Sequence, residues 1–179
     1  MDTGVAEDTK KTRQAFYTPV AVAARVVELA EVSGHKVLEP SCGDGALVEE
    51  CLAQGATEVV AQELDPETAA NTRARFAARH SPVTVQEGDF LAAHPAPLFP
   101  RICANPPFTR GQDLKHLAHM LQFLAPGGIC VCIMAPLSPS KPAFLKATAG
   151  YKVTVEDVPA GAFKESGTNI ATVIVKIVK

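Results

Sequence analysis

Residues 36–54 read KVLEPSCGDGALVEECLAQ. A short run with an apolar centre, Lys36 to Glu39, ends at Pro40; a turn carrying Gly43 and Gly45 follows, and then an apolar-rich stretch that Gly55 closes. This order predicts a strand over 36–39, a glycine-bearing turn and a helix over 46–54, because glycine allows a sharp turn and ends the helix behind it. The same alternation continues outward. Strands are expected at 58–64, 83–86, 101–104 and 129–134, with helices at 66–80 and 112–124. Pro66 suits the first turn of its helix, Pro126-Gly127-Gly128 stops the next, and the wholly apolar 129–134 has the pattern of a strand buried on both faces. Upstream, Thr18-Pro19 offers an N-cap and a proline at the first helical position, which predicts a helix over 19–33 stopped by Gly34. Downstream come a short helix at 142–148 and two strands at 152–158 and 170–178. The fold class expected is therefore α/β, a doubly wound, mostly parallel sheet with an antiparallel C-terminal edge hairpin.

The 179 residues suit one domain, with a polar N-terminal tail over 1–14 and a single domain over 15–179. With 47% hydrophobic and 20% charged residues the composition is that of a globular protein. A formal net charge of −2 gives no global basic field, so any nucleic-acid contact has to be local. Basic residues do gather at Lys10, Lys11 and Arg13, at Arg110 and Lys115, and at Lys141, Lys146 and Lys164. The five cysteines are odd in number and lack metal-binding spacing, which points to reduced thiols and a cytoplasmic setting. Asp113, His116 and His119 recur every three residues, but that spacing drifts around a helix and no fourth ligand accompanies it, so no metal is expected. No apolar run reaches the roughly 18 residues of a membrane span, and the polar, acid-bearing residues 1–12 resemble neither a secretory signal nor a transit peptide.

In a doubly wound sheet, ligands bind beyond the carboxyl ends of the strands, where strand order reverses. Chemistry-bearing residues follow the strands here. After the first stands Glu39-Pro40-Ser41-Cys42-Gly43-Asp44-Gly45, leading into a helix whose free N–H groups face an incoming ligand. A nicotinamide cofactor would call for glycine or alanine at the sixth position of the glycine motif, which is Val48, and Glu39 and Asp44 would repel a pyrophosphate while suiting a cation. Glu63, Leu64 and Asp65 end the second strand, where an acid can accept from a ribose diol. Gly88-Asp89-Phe90 follows the third, pairing a carboxylate that suits an adenine amine with a ring that packs on its face. One such acid is commonly a solvated loop residue; acids at three successive strand ends form a pattern. Asn105-Pro106-Pro107-Phe108 ends the fourth. Two prolines can simply stiffen a corner, but they also fix backbone carbonyls in place, and the aromatic supplies a flat surface for a base.

On these residues the chain resembles the class I S-adenosylmethionine-dependent methyltransferases, and among them the enzymes that methylate the amino group of adenine in DNA. Phe16-Tyr17-Thr18-Pro19 resembles the family's motif ahead of the first helix, and Asn105 to Phe108 its catalytic tetrapeptide, which is specific to amine methylation; the likeness extends over nearly the whole chain. It implies a Rossmann-like fold with S-adenosyl-L-methionine as cofactor, held by Tyr17, Thr18, Glu39, Ser41, Cys42, Gly43, Gly45, Glu63, Leu64, Asp89, Phe90 and Asn105. It implies catalysis by Asn105, Pro106, Pro107 and Phe108, with the base touched by Phe108 and by Phe163 in the loop between the last two strands. Motif order is similar to that of type I modification subunits and related phage or plasmid enzymes, which implies nucleic acid as partner, DNA ahead of RNA. Larger members append a target-recognition domain, so the expectation is a short or relaxed sequence preference, or specificity from a partner subunit or a homodimer. The alternatives are an RNA base, a protein glutamine of the kind found in release factors, whose enzymes usually carry Tyr at the position of Phe108, and a non-catalytic methyltransferase-like subunit.

Overall fold

A computed structural model describes residues 17–159, 161–164 and 170–179; the expected tail over 1–14 and Phe16 of the first motif lie outside the described residues. The elements are α1 (Val20–Ala30), β1 (Lys36–Glu39), α2 (Ala46–Ala53), β2 (Glu58–Glu63), α3 (Pro66–Ala77), β3 (Val83–Glu87), β4 (Phe99–Ala104), α4 (Gln112–Phe123), β5 (Leu124–Met134), α5 (Pro142–Ala147), β6 (Lys152–Val158) and β7 (Thr172–Val178). One seven-stranded sheet has the order β3-β2-β1-β4-β5-β7-β6. β1 pairs in parallel with β2 and β4, β2 with β3 and β4 with β5, while β7 runs antiparallel to both β5 and β6. The expected antiparallel pair is present, with its second strand inserted inward so that β6 forms the edge. Strand order reverses between β1 and β4.

Period-2 alternation in the strands feeds two cores, one on each face. α1, α2 and α3 lie over the first, through Val26, Val27, Val48, Cys51 and Phe76 against Val37, Val59, Cys103 and Val131. α4 and α5 lie over the second, through Leu117, Met120 and Phe144 against Leu38, Ile102, Cys130 and Val175. All five cysteines are free and buried, as small apolar residues of these cores.

Several boundaries differ from the sequence reading for local reasons. α1 starts at Val20, with Pro19 rather than Thr18 at its N-cap, because the Thr18 hydroxyl accepts a hydrogen bond from Asn105 Nδ2 (3.0 Å) across 87 residues. It stops at Ala30, where Glu31 turns left-handed (φ 55°), so that Val32 can enter the core. α3 is three residues shorter than expected, ending at Ala77. α4 passes straight into β5, whose first residue Leu124 pairs with Phe99 before an irregularity in register; Pro126-Gly127-Gly128 thus lies inside an irregular strand.

Candidate functional site

The carboxyl ends of β1, β2, β3 and β4 open into one cavity of about 430 Å³, within the range of small-molecule sites. Tyr17, Thr18, Glu39, Ser41, Cys42, Gly43, Glu63, Leu64, Asp89, Phe90 and Asn105 all line it, joined by Pro106 and Pro107.

The turn after β1 owes its shape to hydrogen bonds from its neighbours. Gly43 (φ 51°) donates its N–H to Glu63 Oε2 at 2.8 Å, and its carbonyl accepts from the Thr72 hydroxyl at 2.8 Å. Glu63 Oε1 accepts from the Asp65 N–H at 2.8 Å, so this carboxylate holds β2's end and the glycine turn together. Ser41 donates its N–H to Glu39 Oε1 (3.0 Å) and its hydroxyl to the Asn105 carbonyl (3.3 Å), tying the turn to the tetrapeptide. Asp89 Oδ1 caps the short turn Phe90–Ala92 through the Leu91 N–H at 2.9 Å.

Glu39 is the most unusual group. It is 1% exposed, and its Oε2 has no hydrogen-bond partner. Burial first, and then the nearby Glu63 carboxylate, push its pKa up to about 8. A buried acid with an unsatisfied oxygen at a cavity wall suits a positively charged group, because an unmet buried acceptor is costly.

Some expected site residues stand elsewhere. Gly45 (φ 86°) faces away from the cavity: a Cβ there would meet Arg75 Nη2 and Phe76 Cε2, each at 2.9 Å, so this glycine serves close packing under the turn. Asp65 is the N-cap of α3, accepting from Thr68 N (3.0 Å) and Thr68 Oγ1 (2.9 Å), which leaves the end of β2 to Glu63. Phe108 is half-buried against the first core. Phe163, expected as a base contact, is 2% exposed and packs inside that core, and it is not among the residues that line the cavity.

The helix expected at 112–124 is present as α4, but its Gln112, Lys115 and His116, which line the cavity, were not among the expected site residues. Their i, i+3, i+4 spacing, which sets them on one side of the helix, was the available signal. His116 Nδ1 is buried without a partner, burial lowers its pKa, and its ring centroid stands 5.9 Å from that of Phe90. Of the two residues grouped with it in sequence, Asp113 turns to Ser138 and Ala135, and His119 Nε2 meets the Ala93 carbonyl at 3.0 Å. Among the described residues no group of three His, Cys, Asp or Glu could hold a metal, and no helix is long and apolar enough to cross a membrane.

A family model described as a methyltransferase domain matches residues 37–128. A probable ribosomal RNA small subunit methyltransferase A from Methanospirillum hungatei is 34% identical over 98 residues, 54% of this chain and 38% of that protein. An rRNA adenine N-6-methyltransferase from Streptomyces fradiae is 38% identical over 104 residues, 56% of this chain and 32% of its own length. The matches thus span about a third of the length of these curated relatives. Among solved structures, the type I restriction enzyme EcoKI M protein superposes with a TM-score of 0.79 at 14% identity, over 96% of this chain and 45% of that one, a likeness of fold.

Proposed function

The chain belongs to the methyltransferase domain family, and we propose that it transfers a methyl group from S-adenosylmethionine to the exocyclic amine of adenine in a nucleic acid, DNA first. The observation that carries the reading is one cavity shared by a buried, half-satisfied carboxylate, Glu39, and the amine-directed tetrapeptide from Asn105.

The residues present fit the cofactor. Glu39 Oε2 lacks a donor, and the ammonium of the cofactor's amino-acid part would supply one. Glu63 keeps lone pairs for a ribose diol beyond those given to Gly43 and Asp65. Asp89, with Phe90 and the exposed Leu64 beside it, suits an adenine edge and its faces. Tyr17, Thr18, Ser41, Cys42 and Gly43 close the remaining wall. When bound, the cofactor supplies an electrophilic methyl group on a positively charged sulfur.

The chain's own residues do the rest. An aromatic amine is a poor nucleophile because its lone pair is delocalised into the ring. The Asn105 side-chain oxygen and the Pro106 carbonyl accept its two N–H groups, bias the nitrogen toward tetrahedral geometry and release the lone pair. Thr18 accepts from Asn105 Nδ2 at 3.0 Å and so fixes which end of the amide faces the amine. The same oxygen dipoles stabilise the positive charge that develops on nitrogen. Holding the amine in line is worth roughly 7–11 kcal/mol in favourable cases. Pro106 and Pro107 stiffen the backbone that carries these acceptors, and Phe108 presents its exposed part to an extruded base.

A ribosomal RNA adenine is the second reading, favoured by the names of the relatives above 30% identity. The test is nucleoside mass spectrometry after incubating the protein with methyl-labelled cofactor and either duplex DNA or ribosomal RNA. N6-methyladenine in DNA supports the first reading and its appearance only in RNA the second. Label found solely in protein would reject both.

A further inference from the structure

Residues 90–155 contain six Lys and Arg but a single acid, Asp113, whereas the rest of the chain holds eleven against eighteen. The net charge of −2 therefore conceals an uneven distribution of charge along the chain. The one acid of this basic segment does not reach the surface. Asp113 is 1% exposed, and its carboxylate accepts from the Ser138 hydroxyl at 2.6 Å and the Ala135 N–H at 3.2 Å. These bonds clamp the loop after β5 onto the first turn of α4. Arg110, which precedes α4, and Lys141, which precedes α5, are thereby brought to one rim beside the tetrapeptide, at the carboxyl ends of β4 and β5. Lys146 continues the series along α5.

Arg110, Lys141 and Lys146 are exposed and make no ion pair among the described residues. By contrast Arg25, Lys36, Arg75, Arg79 and Lys176 each meet a glutamate. Leu137, 72% exposed, stands in the clamped loop, four residues ahead of Lys141. Unpaired cations set up a local positive field here, which Asp157 on the edge strand β6 offsets only in part.

We infer that this face, from α4 across the loop after β5 to α5, is where the nucleic-acid strand lies, with its phosphates crossing Arg110, Lys141 and Lys146. The inference rests on the reading of the acceptor as nucleic acid and adds the side from which it approaches the cavity. The strand comes over α4 and α5, opposite the wall of Glu39, Glu63 and Asp89. Such contacts fix position and orientation and carry no sequence preference.

The test is the salt dependence of binding to a fluorescent adenine-containing duplex, for wild type and for Arg110→Ala, Lys141→Ala and Lys146→Ala, with Arg79→Ala, a cation paired with Glu49, as control. Each phosphate contact removed lowers the slope of log affinity against log salt by about 0.9 on a duplex. Each rim variant loses about that much, equally on different sequences, while Arg79→Ala keeps the wild-type slope and all variants keep cofactor affinity by calorimetry. Lys141→Glu, a reversal at an exposed site, weakens binding further than Lys141→Ala. If wild type binds and methylates nucleic acid but the rim variants retain its slope, this inference is overturned and the functional reading stands. If wild type neither binds nor methylates any nucleic acid, both fall. Binding to phosphatidylserine-containing vesicles in place of oligonucleotides also overturns the inference, in favour of a lipid surface.

Discussion

Glu39→Gln isolates the energy stored at the cavity wall. The folded protein retains the Glu39 proton up to about pH 8, while an unfolded chain releases it near the ordinary 4.5. Across that window the folded state binds more protons, so its stability falls as pH rises through it. At about 1.4 kcal/mol per pH unit, the whole window is worth about 5 kcal/mol for a group that is 1% exposed. Gln keeps the shape and removes the titration. Urea unfolding of the ligand-free protein at about pH 5 and about pH 9 should show wild type losing several kcal/mol more than Glu39→Gln over that interval. The same group predicts proton traffic on ligand binding: calorimetry near pH 7 in buffers of different ionisation heat should detect close to one proton released per cofactor bound by wild type, and none by Glu39→Gln. Parallel stability curves for the two proteins, with no difference in proton release, would refute the reasoning.

Glu63→Ala and Asp89→Ala should each weaken cofactor binding by about 1.5–3 kcal/mol, the usual worth of a charge-assisted hydrogen bond, as calorimetry would measure. Thr18→Val should lower kcat with cofactor affinity little changed, because it removes the acceptor that orients the Asn105 amide; kinetics over a cofactor series would separate the two. Phe163→Ala should lower unfolding stability by about 3–5 kcal/mol, with no base-binding effect beyond that loss, since the ring is 2% exposed inside the core.

The acidic wall of the cavity was legible because each acid ends a strand or stands just past one: once β1, β2 and β3 were read from their apolar centres, parallel pairing brought Glu39, Glu63 and Asp89 to one end of the sheet. What pattern could not show was the direction a residue faces within a turn. Gly43 and Gly45 look alike in sequence, yet only the first lines the cavity, and the second is dictated by Phe76 packing beneath it. Asp65 follows Glu63 by two residues but is drawn off to cap α3. Thr18 had every feature of an N-cap; a contact with Asn105 across 87 residues overrode the local preference. Phe163 went to the core because burial rewards a phenylalanine more than a loop position reveals. The α4 wall was missed for a related reason: Gln112, Lys115 and His116 gain meaning only when β4 delivers the tetrapeptide opposite them.

The central claim is that Glu39, Glu63 and Asp89 hold the cofactor while Asn105 acts on the incoming amine. Measuring methyl transfer to nucleic acid and cofactor affinity side by side for wild type and Asn105→Ala tests it most directly. Asn105→Ala is expected to lose transfer while its calorimetric affinity for S-adenosylmethionine stays within a few-fold of wild type. Near-normal turnover by Asn105→Ala on the substrate that wild type methylates would contradict it.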